Sequence, residues 1–167
     1  LNNLSIIYSD FYQDYDSALN YLEEMKNLAE KEGVAFLKAL SLINIGEINY
    51  IKFNTTEALE CFSTALDIID ELGYKAYTFY IYCFLIGIYL RLGNYSKAYF
   101  YHLKAKDELK NNTNQNIYDG LYYYFSAQLF YKFGDIDKAH EYLKEVLRIH
   151  QNNDIKIKWD AEAFLLI

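Results

Sequence analysis

The chain has 167 residues, the size of one ordinary domain, and 53% of them are hydrophobic, enough to build a core and too many for a disordered chain. Twenty-three acidic against sixteen basic residues leave a net charge of −7, which argues against a general nucleic-acid or anionic-membrane surface. The charge is uneven: residues 1–83 hold 13 acidic and 5 basic side chains, whereas 84–167 hold 10 and 11. No apolar stretch reaches the roughly 18 residues of a membrane span, so no membrane partner is expected. Two cysteines, Cys61 and Cys83, are too few for a disulfide framework and fit a reducing compartment, so a cytoplasmic location is expected. Proline is absent, which favours long unbroken helices. Nineteen Tyr and eleven Phe accompany many Ile, Asn and Lys, a pattern of coding bias that says little about function.

Taken in order, the apolar spacing predicts helix pairs at 2–11/14–31, 34–52/55–72, 75–92/95–110 and 116–133/136–151, with a ninth helix from about 154. Short breaks join the members of each pair, at Tyr12–Asp14, Phe53-Asn54, Gly93-Asn94 and Gly134-Asp135. Gly and Asn accept the left-handed geometry that ends a helix. Further breaks at Glu32-Gly33, Leu72-Gly73, 111–116 and 152–154 divide the chain into units 1–33, 34–73, 74–114, 115–153 and a partial fifth, 154–167. No segment alternates with period two, so strands are not expected.

The second helix of each pair opens on one phrase: Tyr15-Asp16-Ser17-Ala18-Leu19, Thr55-Thr56-Glu57-Ala58-Leu59, Tyr95-Ser96-Lys97-Ala98-Tyr99 and Ile136-Asp137-Lys138-Ala139-His140. The alanines recur at spacings of 40, 40 and 41 residues. A pair cannot bury its own apolar faces, so neighbouring pairs must stack. The repeat-packing positions are Gly46, Ala58, Phe62 and Ala65 in the second unit. In the third they are Tyr89, Ala98 and Ala105, and in the fourth Ala127, Ala139 and Leu143. The first unit has one extra residue between Tyr8 and Tyr15, and in the third His102 stands where an aromatic is usual.

These residues resemble the tetratricopeptide repeat, in a long-period, proline-poor form. Armadillo and HEAT repeats have similar periods, but the Gly-x-Tyr-x-x-Ala phrase fits the tetratricopeptide pattern better. The resemblance implies an all-α fold, a right-handed α–α superhelix of about four and a half helix pairs. It is similar to repeats in bacterial signalling proteins, where such segments precede cyclase or kinase output domains. That implies a non-enzymatic protein- or peptide-binding scaffold, cut from a larger cytoplasmic protein. A peptide-pheromone receptor and a chaperone or assembly adaptor are the alternatives.

Searching for chemistry yields little. The seven glycines form no phosphate-binding loop. His140 and His150 are ten residues apart, and neither cysteine has a histidine at zinc-ligand spacing, so no metal or cofactor is expected. His102 falls on a core-facing stripe and reads as a packed polar residue. Cys61 and Cys83 lie mid-helix and read as inert thiols, and Glu23-Glu24 and Asp70-Glu71 as solvated charge.

In the architecture the resemblance implies, the first helix of each pair lines a concave groove. Periodicity assigns to it Leu40, Asn44, Glu47 and Tyr50/Ile51, then Tyr80, Cys83/Phe84, Gly87 and Arg91, then Leu121, Tyr124/Phe125, Gln128 and Tyr131/Lys132. The bet falls on Asn44, Glu47, Tyr50, Tyr80, Phe84, Arg91, Tyr124, Gln128 and Tyr131. Tyrosine offers contact area at low entropic cost, and Asn and Gln can pair with a peptide backbone. A carboxylate clamp of the chaperone-adaptor kind is disfavoured, because Tyr80 and Phe84 hold its basic positions. At the far end Trp159, Phe164, Leu165 and Ile167 read as part of the first helix of a fifth unit, expected to lack a following partner. Pairing with another molecule, a homodimer through this end, is one expected outcome.

Overall fold

The computed structural model describes residues 1–111 and 118–153. Among them every regular element is a helix. Helix α1 (Asn2–Ile6) runs directly into a π-helical turn (Ile7–Phe11). There follow α2 (Tyr15–Lys31), α3 (Ala35–Ile51), α4 (Thr55–Leu72), α5 (Lys75–Arg91), α6 (Tyr95–Asn111), α7 (Asp119–Lys132) and α8 (Ile136–Asn153). The fold is an all-α helical repeat, and its contacts divide it into two units, Leu1–Ile81 and the chain from Tyr82 onward.

The corners within pairs share one backbone solution. Gln13, Phe53, Gly93 and Gly134 all take positive φ, at 53°, 63°, 68° and 78°. In the last three the following N–H returns to the carbonyl five residues back: Asn54 to Asn49, Asn94 to Tyr89 and Asp135 to Phe130, at 2.9–3.0 Å. This satisfies carbonyls that a helix end would otherwise orphan. Except at Asn54, whose side chain donates back to Asn49 Oδ1 at 3.1 Å, the corner residue then caps the next helix. Asp14, Asn94 and Asp135 accept from the backbone N–H groups of Ser17, Lys97 and Lys138. The first corner differs, because Asp14 N–H reaches back six residues, to Tyr8. The extra residue of the first unit accompanies the π-turn, so the return is one residue longer while Gln13 keeps the positive φ of the other corners.

In the first unit α1 and the π-turn pack on α2, α2 on α3 and α3 on α4. Ala18, Leu22, Ile45 and Ile48 form one buried cluster flanked by Tyr8, Tyr15, Leu19 and Cys61. Gly46 sets the approach of α3 to α4: a β-carbon there would lie 3.0 Å from the Phe62 ring and 3.2 Å from Cys61 Cβ. Ala58, Phe62 and Ala65 are fully buried on α4.

In the second unit α6 packs on α7 and α7 on α8. Tyr89, Ala98, Ala105, Ala127, Ala139 and Leu143 are all buried. Here a close approach occurs at Gly87 on α5. A β-carbon would come within 2.5 Å of the Phe125 ring on α7, so Gly87 joins first helices of successive pairs rather than lining a groove.

Candidate functional site

The nine groove candidates separate into three groups. Tyr50, Phe84 and Tyr124 are buried, which corrects their assignment to a ligand surface. Phe84 packs against Phe125, their ring centroids 6.0 Å apart, and Tyr124 lies beside the same ring at 5.3 Å. For Phe84 and Tyr124 the cause is the character of α5 and α7; Tyr50, on α3, lies off the strip that Asn44 and Glu47 occupy. From Phe79 to Tyr89 every residue except Tyr80 is buried, and from Asp119 to Phe130 every residue except Tyr123 and Gln128. A helix that is apolar all round is covered on most sides and leaves only a narrow accessible strip. Leu121, Cys83 and Phe125, the other candidates on these helices, are likewise core residues.

The second group stays at the surface of the second unit. Arg91 and Gln128 are half-buried and Tyr131 is 46% exposed. Tyr131 edges a cleft of about 30 Å³ between α7 and α8, lined also by Ala127, Ile136, Ala139, His140 and Leu143. That volume suits a single water rather than a side chain.

The third group, in the first unit, is organised. Asn44 Nδ2 donates to Asn2 Oδ1 at 2.9 Å, linking α3 to α1. One turn further along α3, Glu47 Oε2 accepts from the Tyr80 hydroxyl of α5 at 2.7 Å. All four residues are half-buried. The first helices of three successive pairs thus carry one polar row, held by side-chain hydrogen bonds and still open to solvent. Periodicity placed Asn44, Glu47 and Tyr80 there and missed Asn2. The π-turn shifts α1 out of the 40-residue register, so the spacing gives no signal for it.

The groups with chemical potential elsewhere are muted by burial. Cys83 is fully buried, its thiol pushed well above the ordinary range by loss of solvent. Cys61, half-buried, is pushed up to about 11 by the same cause. His102 is buried within an aromatic cage. It lies parallel to Tyr122 at 5.4 Å and Tyr99 at 5.8 Å, and meets Phe130 and Tyr142 edge-on. Its Nδ1 is 2.9 Å from Ser126 Oγ. Desolvation, with smaller contributions from Lys106 and Lys138, lowers it to about 4, so the imidazole is neutral near pH 7. It serves as a flat ring in the core where the other pairs carry Leu22, Phe62 and Leu143.

Among the described residues no group of three or more His, Cys, Asp or Glu side chains is placed to hold a metal ion. No described helix is long and apolar enough to cross a membrane. Trp159, Phe164, Leu165 and Ile167, with the partial fifth unit, lie outside the described residues.

No protein-family model matches the chain. No curated protein matches it in sequence. Among solved structures, the fold is similar to that in the crystal structure of BtubC (BKLC) from P. vanneervenii, with a TM-score of 0.71 over 94% of this chain at 17% sequence identity. The chain spans 66% of that protein's length. A likeness at this identity is one of fold.

Proposed function

We propose that the chain is a non-enzymatic, tetratricopeptide-like scaffold that holds an extended segment of another protein along the first helices of its first unit. The observation that carries this reading is the polar row Asn2–Asn44 and Glu47–Tyr80. Its side chains are fixed by one another before any ligand arrives, which lowers the entropic cost of binding. Asn44 keeps its amide oxygen and a second N–H for a peptide backbone. Glu47, within the half of the chain richer in acidic side chains, favours a neutral or basic segment over an acidic tail. A scaffold of this kind suits the regulatory region of a larger cytoplasmic bacterial signalling protein.

Selection from a displayed random-peptide library tests the proposal. Selected peptides should carry Lys or Arg, and Asn44→Ala or Tyr80→Phe should weaken them about tenfold, about 1.4 kcal/mol, with unchanged helicity. Peptides that bind both variants as tightly as the parent chain would overturn this location of the site.

A further inference from the structure

Through its middle, α3 is covered on nearly every side. From Ala39 to Tyr50 every residue is buried except Leu40, Asn44 and Glu47. At about 100° per residue these three fall within about 60° of one another, so they stand in single file along the helix. Leu37, 40% exposed, continues the file one turn earlier. The repeat does not impose this arrangement. In phase with the recurring alanines, Asn44 corresponds to Phe84 of α5 and Phe125 of α7, and both of those rings are fully buried. Of these three first helices, α3 alone shows an apolar, an amide and a carboxylate group in one accessible line.

The helix rise spaces these groups as a ruler. Asn44 lies about 6 Å and Glu47 about 10.5 Å beyond Leu40 along the axis. A ligand that meets both ends must carry an apolar group and a cation at about that separation, on one of its own faces. A β-strand repeats a face every two residues, at about 6.6 and 13.2 Å, and misses the distance both times. An α-helix is about 10–12 Å across with its side chains, too broad for a line one residue wide. A polyproline II segment turns once in three residues and rises about 3.1 Å at each, so residues p and p+3 share a face about 9.3 Å apart. The long side chain of Lys or Arg covers the small remainder. The backbone of such a segment makes no internal hydrogen bonds, so at p+2, about 6 Å along, its peptide groups are open to the Asn44 amide.

We propose that the ligand of this strip is a polyproline II segment that sets an apolar residue on Leu40 and, three residues away, Lys or Arg on Glu47. It rests on the polar row being a peptide site, and it adds to that reading the conformation and the residue spacing of the peptide. The Glu47 carboxylate, which also holds the Tyr80 hydroxyl, attracts the cation and repels an acidic residue at the same place. Asn44, fixed by Asn2, meets the backbone between them.

Fluorescence anisotropy with labelled Pro- and Ser-based peptides of about ten residues tests the proposal. Each peptide carries one Leu and one Arg, separated by two, three or four positions, in both orders. A separation of three, in one order, should bind about tenfold tighter than two or four. Leu40→Ser in the protein and Ser for Leu in that peptide should each weaken binding about tenfold, and both together no more than either alone, because they remove one shared contact. The change made in the peptide leaves the protein untouched, so this arm does not depend on how the Leu40 variant folds. Glu47→Gln keeps an acceptor for Tyr80 and removes the charge, so it should weaken the Arg peptide about tenfold and leave the same peptide with Gln in place of Arg unaffected. Peptides that bind without preferring a separation of three, yet weaken on Asn44→Ala, would overturn the spacing and leave the peptide site standing. Peptides that bind the Asn44→Ala and parent chains equally well would overturn both. Failure of every peptide in the set to bind, while library-selected peptides bind and depend on Asn44, would overturn the polyproline II ligand alone.

Discussion

Gly87 has no room for a side chain. Any side chain there must displace the Phe125 ring, which is itself fully buried. Gly87→Ala should therefore destabilise by about 1–3 kcal/mol, and Phe125→Leu in the same chain should recover part of the loss. Chemical denaturation of the two single variants and the double variant checks the coupling. His102 sets a pH dependence of definite sign. Its folded value, about 4, lies below the ordinary histidine value of about 6.5, so below pH 6.5 the unfolded chain takes a proton that the folded chain refuses. Stability is fully present above pH 6.5 and declines as the pH falls towards 4, by at most about 3 kcal/mol. His102→Phe should flatten the stability profile across that window in denaturant titrations.

At the scale of the element, the corners are the informative feature. Gly93 sits at φ 68° with no atom within 4 Å of where a β-carbon would lie. Gly93→Ala should thus cost about 1 kcal/mol from backbone strain alone, without repacking, and a thermal melt would register it. These corners were legible in the sequence because Gly and Asn recur there in phase with the alanine phrase. The helix pairs fell within a few residues of their predicted ranges for the same reason. The phase of the first helices was less legible. Phe84 and Tyr124 were assigned to the groove because α5 and α7 are apolar almost all round, so periodicity gives no solvent side to count from; Tyr50, on α3, lies about 60° round the helix from Glu47, on its covered side. Only where polar residues punctuate the first helix, as at Asn44 and Glu47 on α3, did the pattern point to an accessible strip. The extra residue before Tyr15 was visible too, but a sequence cannot say whether a loop or a helix absorbs it.

At the scale of the whole molecule, the uneven charge has a measurable effect. Thirteen acidic and five basic residues lie within the first unit, and several of those bases are already engaged, Lys26 with Glu23, Lys38 with Glu30 and Lys52 with Asp16. The remaining carboxylates repel one another, and salt screens that repulsion. Raising the ionic strength should therefore increase amide-exchange protection in α2–α4 more than in α6–α8. Hydrogen exchange at two salt concentrations resolves this, because near-neighbour packing lets the two units open separately.

The packing of helices on their chain neighbours within each unit also governs how the protein reaches its native state. The bond from Asn44 to Asn2 spans 42 residues, about one repeat, and the corner bonds span five or six. With contacts this local, little loop entropy is lost before each contact stabilises the next, and folding on the microsecond-to-millisecond scale is expected. During synthesis, α1 to α4 can complete their mutual packing while the second unit is still inside the ribosome. The nascent chain would then expose a Gly46–Phe62 seam already closed, and the exposed apolar surface left to chaperones would be that of a single growing edge.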